Sequence, residues 1–323
     1  MNIVFMGTPD FAVESLKALY EAGHNILAVV SQPDKPSGRG MKLMLTPTKE
    51  YALEKGIKVY QPEKIRNNNE FIEELKTLNP DVMVVVAYGK ILPVKILEIP
   101  KYGSINVHGS LLPKYRGAAP IQWSIINGDE ETGVTTMYMD KGMDTGDMLL
   151  KEVIKIEESD TYGSLYEKLK ILGGSLIVKT LKELDEGTLK SEKQPSDFSI
   201  APMIFKEDCK INWEKSAKEI RNLVRGVNPM PGAWTCMEEK VYKIWDCEVL
   251  SENDIKEYLQ NSVLKNEFQD VGTVIESNSK KGLIISAGKD FISIKTIQAP
   301  NSKKMNILDY LRGNNIEVGA KFD

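Results

Sequence analysis

Short apolar runs alternate with longer amphipathic stretches through the first half of the chain. We interpret five of these runs as strands: Ile3–Met6, Ile26–Val30, Ile57–Tyr60, Asp81–Ala87 and Ser104–His108. The fourth run is apolar at nearly every position, which is typical of a strand covered on both faces of a parallel sheet. The intervening stretches carry apolar residues at helical spacing. The pattern therefore predicts an α/β domain with a Rossmann-like, mostly parallel sheet.

Further apolar runs extend this domain and then give way to a different pattern. Val134–Met139 and Asp147–Val153 read as strands, and helices are predicted over 118–126 and 162–183. Residues 187–202 are polar and have the composition of a linker. Beyond them, five short β-rich pieces separated by turns predict a small antiparallel barrel or sandwich, and we expect an OB-like β-barrel. We therefore expect a catalytic domain at 1–188, a linker at 189–204 and a second domain at 205–323.

Charge and composition narrow the classes of function. The 323 residues have a net charge of -4, so the chain as a whole does not attract a polyanion, and any nucleic-acid contact must be local. The three cysteines are odd in number and have no histidine nearby, which favours a reducing compartment over disulfides or zinc. No apolar run approaches the roughly 18 residues that span a bilayer. We expect a cytoplasmic protein without a signal peptide, membrane anchor or metal.

The loop after the first strand invites comparison with dinucleotide-binding proteins. Gly7 follows the strand, but the second and third glycines of the G-x-G-x-x-G pattern are missing. Pro9 also removes a backbone N–H from the loop that would hold a pyrophosphate. These differences favour an ordinary tight turn over an NAD site.

Polar residues interrupt the fifth strand where its neighbours predict valine or isoleucine. Asn106 and His108 are two residues apart, so in an extended strand their side chains lie on one face, separated by about 6.6–6.8 Å along the chain. The strand ends there, at the edge of a parallel sheet where ligands collect. Taken alone, the pair also fits a buried histidine satisfied by its neighbours.

The surrounding motifs resemble a known family. Residues 106–113 read Asn-Val-His-Gly-Ser-Leu-Leu-Pro, and residues 143–146 read Met-Asp-Thr-Gly. Together they resemble the formyltransferases that use 10-formyltetrahydrofolate. The likeness runs from residues 1–9 to residues 299–305, and the Arg-Gly-Ala-Ala-Pro-Ile-Gln-Trp stretch at 116–123 makes it narrower. It implies a folate-dependent transferase whose acceptor is methionine esterified to initiator tRNA.

The resemblance implies three catalytic residues and a folate pocket. Asn106 would donate an N–H to the oxyanion, His108 would relay a proton, and Asp144 would orient the imidazole. Asp140 competes with Asp144 but suits a turn better. One wall of the folate pocket would consist of Ser110, Leu111, Leu112 and Pro113. A second wall would consist of Tyr88, Gly89, Lys90, Ile91 and Leu92.

A long insertion at residues 34–49 carries four basic residues and one acidic residue. A loop of this length usually has a function or is disordered, so a merely solvated flexible loop is the alternative. Its apolar residues could lie beside an unpaired base. The resemblance implies that it engages the acceptor end of tRNA. The candidate tRNA-binding residues in both domains are Lys35, Arg39, Lys42, Lys49, Lys303 and Lys304.

The sequence alone leaves two other functions open. A related formyltransferase could act on a small amine, such as an amino sugar or a purine precursor. A non-catalytic folate- or tRNA-binding module on the same scaffold is a more distant alternative. We expect the protein to act as a monomer.

Overall fold

A computed structural model describes residues 1–37, 42–255 and 270–323. Contacts divide it into two compact units: the first consists of 1–120, 131–155 and 165–202, and the second of 121–130, 156–164 and 203–323. Two stretches of the predicted first domain therefore group with the second unit. One is 156–164, where Arg225 donates to the carbonyl oxygens of Asp160 at 2.8 Å and Glu157 at 3.0 Å. The domain boundaries at 188 and 205 stay a prediction.

The first unit contains eleven strands among the described residues. They are β1 (Asn2–Gly7), β2 (Asn25–Val30), β3 (Lys35–Ser37), β4 (Lys42–Met44), β5 (Val59–Tyr60), β6 (Val82–Val86), β7 (Ser104–His108), β8 (Arg116–Gly117), β9 (Glu131–Tyr138), β10 (Met148–Lys155) and β11 (Ile200–Ala201). Seven form one sheet in the order β10-β9-β7-β6-β1-β2-β5. The strands from β7 to β5 run parallel, whereas β9 and β10 are antiparallel. The predicted α/β class is confirmed.

Six helices lie between or after these strands in the chain, and α5 belongs almost wholly to the second unit. They are α1 (Asp10–Glu21), α2 (Pro47–Glu54), α3 (Asn69–Leu78), α4 (Val94–Leu97), α5 (Pro120–Ile126) and α6 (Tyr162–Asp185). Helix α6 carries Gly173, where a Cβ would meet Val107 of β7 at 3.0 Å. The next residue, Gly174, lies equally close to the backbone of α1 at Glu14. The glycine pair therefore lets α6 lie close to both elements.

Two predicted irregular segments have structure. Within the 34–49 insertion, β3 pairs with β4 as a hairpin and α2 begins at Pro47, so the expected long loop is wrong over its described residues. Within the predicted linker, Ile200 and Ala201 form β11 and pair with β8. Local composition misses such pairing, because strands of two or three residues are too short to show a period and their hydrogen bonds come from a partner outside the local pattern.

The second unit contains an antiparallel sheet. Its described strands are β12 (Ala233–Met237), β13 (Lys240–Leu250), β14 (Val274–Asn278), β15 (Gly282–Ser286), β16 (Phe291–Gln298) and β17 (Met305–Asn306), with helices α7 (Ala217–Gly226) and α8 (Ile307–Gly313). Residues 320–323 close the sheet between its edges. Val274 of β14 donates to Ala320 at 2.9 Å, and Asp323 donates to Cys236 of β12 at 2.9 Å. These bonds join the edge strands β12 and β14 through the 320–323 segment, which gives the sheet a barrel-like closure.

All three cysteines lie in this unit as free thiols. Burial raises the pKa of Cys209 to about 11 and that of Cys247 to about 12, whereas Cys236 is partly exposed. In the described part of the chain, no helix is long and apolar enough to cross a membrane. The same residues contain no group of three histidine, cysteine or acidic side chains that could hold a metal ion.

Candidate active site

Asn106 and His108 lie on one face of β7, as their spacing predicts. In register with β9, Asn106 faces Met137 and His108 faces Thr135. His108 is only 5% exposed. Asn106 is half-buried, and its side-chain amide has no hydrogen-bond partner among the described residues. The amide N–H groups are therefore available to a bound ligand.

The imidazole of His108 contacts two segments. Its Nε2 lies 2.9 Å from the carbonyl oxygen of Tyr115, and its Nδ1 lies 3.7 Å from Oδ2 of Asp144. A carbonyl can only accept, so Nε2 carries a hydrogen and Nδ1 is the nitrogen that can exchange a proton. The Nδ1 separation exceeds a hydrogen bond but is within ion-pair range. The carboxylate thus faces the reactive nitrogen.

Asp144 is held in a left-handed backbone conformation with φ of 55°. The backbone N–H of Gly117 donates to the same Oδ2 at 2.9 Å. Gly117 has φ of 125°, and a Cβ there would lie 2.6 Å from the carbonyl oxygen of Ala201. Asp140 instead accepts from Gly142 at 2.9 Å and from Thr145 at 2.6 Å, which agrees with its expected role in the turn.

Thr135, which was not among the predicted site residues, holds the 110–113 segment by two hydrogen bonds. Its hydroxyl donates to the Ser110 carbonyl at 2.7 Å and accepts from the Leu112 N–H at 3.1 Å. Leu112 is buried with Met137 and Met148, whereas Leu111 and Pro113 are partly exposed. Nothing in the local sequence distinguishes Thr135 from any other strand threonine, because its partners are determined by the pairing of β9 with β7.

Residues 88–92 divide between the core and the surface. The side chains of Tyr88 and Leu92 are buried in the core cluster that contains Ile72 and Leu75, so they do not line an open pocket. The Tyr88 hydroxyl has no partner among the described residues, and burial raises its pKa. Three members of the set remain accessible for the predicted wall: Gly89, Lys90 and Ile91.

The predicted linker lies against the site. The Tyr115 N–H donates to Ser199 Oγ at 2.8 Å, and the Arg116 guanidinium lies 4.3 Å from the centre of the Phe198 ring. Gln194 donates to carbonyl oxygens on the Asp144 loop and accepts from Arg116. Gln194 could not be predicted from the sequence, because a single glutamine in a polar stretch carries no local signal.

Comparison with known proteins decides the family. Residues 1–181 match the family model described as formyl transferase, and residues 203–315 match that of the formyl transferase C-terminal domain. The chain belongs to the formyl transferase family. The resemblance inferred from residues 106–113 and 143–146 is thereby confirmed.

Relatives of this formyl transferase share its full length. The methionyl-tRNA formyltransferase of Caldanaerobacter subterraneus is 54% identical over 321 residues, covering 99% of both chains. That of Clostridioides difficile is 51% identical over 320 residues, again covering 99% of both. These relatives are enzymes, and so is this chain.

Solved structures confirm the fold of this formyl transferase. A Helicobacter canadensis N-formyltransferase in complex with folinic acid and dTDP-3-aminofucose has a TM-score of 0.63 at 24% identity, covering 90% of this chain and 98% of that one. Aquifex aeolicus HypX in complex with tetrahydrofolic acid has a TM-score of 0.59 at 16% identity, covering 96% of this chain and 46% of that one.

The predicted tRNA-binding residues of this formyl transferase have different surroundings. Lys35 is exposed on β3. Arg39 and the side chain of Lys42 lie outside the described residues. Lys49 is only 18% exposed, pairs with Asp34, and donates to Gln61 at 2.6 Å. Its ammonium group thus already has internal partners, so the structure favours a structural role over contact with RNA.

Two lysines lie near the ring of Trp245 in the second unit of this formyl transferase. Lys303 and Lys304 are both exposed. The Lys304 Nζ lies 4.9 Å from the centre of the Trp245 ring, and the Lys243 Nζ lies 5.5 Å from it. This combination of cations and an aromatic face suits contact with a nucleic acid.

Proposed function

We propose that this formyl transferase moves the formyl group of 10-formyltetrahydrofolate to the α-amine of methionine esterified to initiator tRNA. The chain is 54% and 51% identical, over nearly its whole length, to two methionyl-tRNA formyltransferases, which supports this acceptor. The observation that carries the chemistry is the distance of 3.7 Å between His108 Nδ1 and Asp144 Oδ2 at the carboxyl end of β7, with Asn106 two residues before His108 on the same strand face.

The reaction sets three tasks. The amine lone pair attacks the formyl carbon, and the carbonyl electron pair moves onto oxygen to form a tetrahedral oxyanion. The oxyanion pair then re-forms the carbonyl while the bond from carbon to N10 of the folate breaks, and the electron pair of that bond goes to N10. The ammonium loses one proton and N10 gains one. The site must stabilise the oxyanion, move a proton and keep the reactants together.

Asn106 suits stabilisation of the oxyanion. Its amide carries two N–H donors, and no described residue occupies them. An uncharged donor at the place where negative charge develops favours the transition state over the ground state. Donors in such positions typically contribute about 10²–10³ in rate.

His108 and Asp144 suit the proton transfer. Because Nε2 is committed to the Tyr115 carbonyl, the proton exchanges at Nδ1. The carboxylate of Asp144 stabilises the imidazolium that forms when Nδ1 accepts the proton. General acid–base catalysis of this kind contributes about 10²–10⁴ in rate.

We assign the folate to the space beside the 110–113 segment. Leu111 and Pro113 offer partly exposed apolar surface, whereas the backbone of Ser110 and Leu112 is hydrogen-bonded to the Thr135 hydroxyl. On the other side, Gly89, Lys90 and Ile91 remain candidates, with Ile91 65% exposed. The side chains of Tyr88 and Leu92 support this wall from the core.

We assign tRNA contacts to two separate surfaces. The β3–β4 hairpin carries exposed Lys35 and the exposed apolar side chains of Leu43 and Met44, at 65% and 57%. An apolar hairpin beside a cation suits an unpaired end of RNA, and Arg39 and Lys42 stay predictions there. On the second unit, Lys303 and Lys304 serve the same purpose.

A small acceptor amine is the second candidate, because an N-formyltransferase with bound amino sugar shares the fold. The exposed apolar hairpin disfavours it, since a small acceptor has no use for such a surface. Action as a monomer in the cytoplasm also stays a prediction. Sedimentation of the purified protein and cell fractionation test it.

The test is a formylation assay with purified protein, 10-formyltetrahydrofolate and charged initiator tRNA. We expect formylmethionyl-tRNA from the wild type, and a loss of about 10²–10⁴ in turnover for His108→Ala. His24→Ala is the matched control, because it removes the only other histidine. Absence of product from the wild type, or faster formylation of an amino sugar, would refute the proposal.

A further inference from the structure

The predicted linker supplies a residue that connects both sides of the catalytic cluster. The Nε2 of Gln194 donates to the carbonyl oxygen of Asp144 at 2.8 Å and to that of Gly146 at 2.8 Å. Its Oε1 accepts from the Nε of Arg116 at 2.9 Å. One side chain therefore joins the loop that carries the Asp144 carboxylate to the segment whose Tyr115 carbonyl accepts from His108.

These bonds complete a closed ring of contacts. His108 bonds to the Tyr115 carbonyl and faces Asp144. The backbone of Asp144 bonds to Gln194, Gln194 bonds to Arg116, and Arg116 follows Tyr115 in the chain. Breaking the ring at Gln194 would remove two hydrogen bonds to the loop and would leave the bond from the Gly117 N–H to the Asp144 carboxylate in place.

The loop requires such support because of its backbone. Asp144 has φ of 55°, a conformation that non-glycine residues rarely adopt and that persists only where the surroundings enforce it. Gly146 is packed so closely that a Cβ would lie 1.9 Å from the carbonyl oxygen of Tyr138. The two Gln194 bonds fall on the carbonyls of these two constrained residues.

Arg116 is itself fixed, so it can serve as the anchor. It is 8% exposed, and its guanidinium stacks on Phe198 of the same linker. Its backbone N–H donates to the Ser199 carbonyl at 2.9 Å. The linker thus holds Arg116 at Phe198 and Ser199 and holds the Asp144 loop at Gln194.

We propose that Gln194 is a positioning residue, through which the 189–204 segment holds the Asp144 carboxylate at His108. This inference rests on the proposed function of Asn106, His108 and Asp144. It gives the segment a part in the chemistry beyond that of a spacer between domains. Gln194 acts through Asp144 and does not contact the reacting atoms.

The test uses two substitutions at Gln194. Gln194→Ala removes all three bonds, and we expect turnover to fall about 10- to 100-fold with little change in either KM, in line with the loss of two hydrogen bonds to the loop. Gln194→Glu keeps the acceptor for Arg116 but sets a carboxylate against two carbonyl oxygens. We expect it to lose at least as much turnover as the alanine variant.

A double-mutant cycle separates positioning from general destabilisation. In an Asp144→Asn background, Gln194→Ala should cost less than about twofold, because the carboxylate it positions is already gone. The imidazole ¹⁵N signal of His108, one of only two histidines, should shift in Gln194→Ala toward its value in Asp144→Asn. Ser196→Ala, an exposed neighbour in the same segment, is the control and should match the wild type.

Full turnover in Gln194→Glu, or an equal loss from Gln194→Ala in both backgrounds, would overturn the inference. A wild-type enzyme that forms no formylmethionyl-tRNA would refute the proposed function instead. The two failures are therefore distinguishable.

Discussion

Replacing Thr135 with valine tests how the folate wall is supported. The change keeps the shape of a fully buried side chain and removes only its hydroxyl. That hydroxyl donates to the Ser110 carbonyl at 2.7 Å and accepts from the Leu112 N–H at 3.1 Å. Valine leaves both backbone groups without this partner, so the segment that we assign to the folate pocket loses its tether.

The expected effect follows from the cost of unsatisfied buried groups. Each costs about 1–3 kcal/mol, so the free energy of unfolding should fall by roughly 2–6 kcal/mol. The next residue on β9, Thr136, provides a matched control. It is also fully buried, and its hydroxyl bonds to Thr180 at 2.9 Å and accepts from the Leu150 N–H at 3.1 Å. Thr136→Val should destabilise the fold by a comparable amount.

Only the substitution at Thr135 should change the KM for the formyl donor. We expect the KM for the formyl donor to rise about fivefold or more in Thr135→Val. A loss of about 1 kcal/mol in binding free energy, caused by the untethered segment, corresponds to this factor. The KM should stay unchanged in Thr136→Val. Urea unfolding measures the first quantity, and steady-state kinetics at a temperature where both variants are folded measure the second. An unchanged KM in Thr135→Val, or an equal rise in both variants, would refute the assignment. Thr135→Ser keeps the hydroxyl and should restore the wild-type KM.

Three further outcomes are expected. Gly117→Ala should lower both the melting temperature and the turnover, because alanine disfavours φ of 125° and its Cβ would clash with β11; wild-type values would contradict this. Hydrogen bonds from Ser216 lower the pKa of Glu219 to about 2, so this contribution to stability is present above the ordinary pKa of about 4.5 and is lost as the pH falls toward 2. In urea titrations, Ser216→Ala should lower the free energy of unfolding by about 1 kcal/mol at pH 7. It should also make the loss of stability between pH 4.5 and 2 shallower, and a loss as steep as in the wild type would contradict the prediction. Under native conditions an alkylating reagent should modify Cys236 alone, as read by mass spectrometry, since the other two thiols are buried; rapid labelling of all three would contradict the fold.

Several features of the protein could be predicted from sequence because they are local. The strand that ends in Asn106 and His108 follows from a period of two residues, and the shared face of these side chains follows from the same period. Motifs over 106–113 and 143–146 identified the family, which the family models confirm. The α/β class followed from apolar runs separated by amphipathic stretches. Each of these signals lies within a short stretch of chain.

Other features depend on partners far away in the sequence. The burial of Tyr88 and Leu92 follows from the helices that pack on the sheet. Thr135 supports the folate wall because β9 pairs with β7 in one register, and a shift by a single residue would place its side chain on the other face. No local pattern records that register.

The polar 189–204 segment shows this division most clearly. Its composition alone predicts a solvated linker, and local propensity offers no reason for order. The structure gives Gln194, Phe198 and Ser199 partners near residues 115–117 and 144–146. The sequence by itself determined the seven strands of the large sheet, the family and which residue types carry the chemistry. Only the tertiary structure decided what holds them together, because hydrogen bonds between distant segments form only after the whole chain has packed.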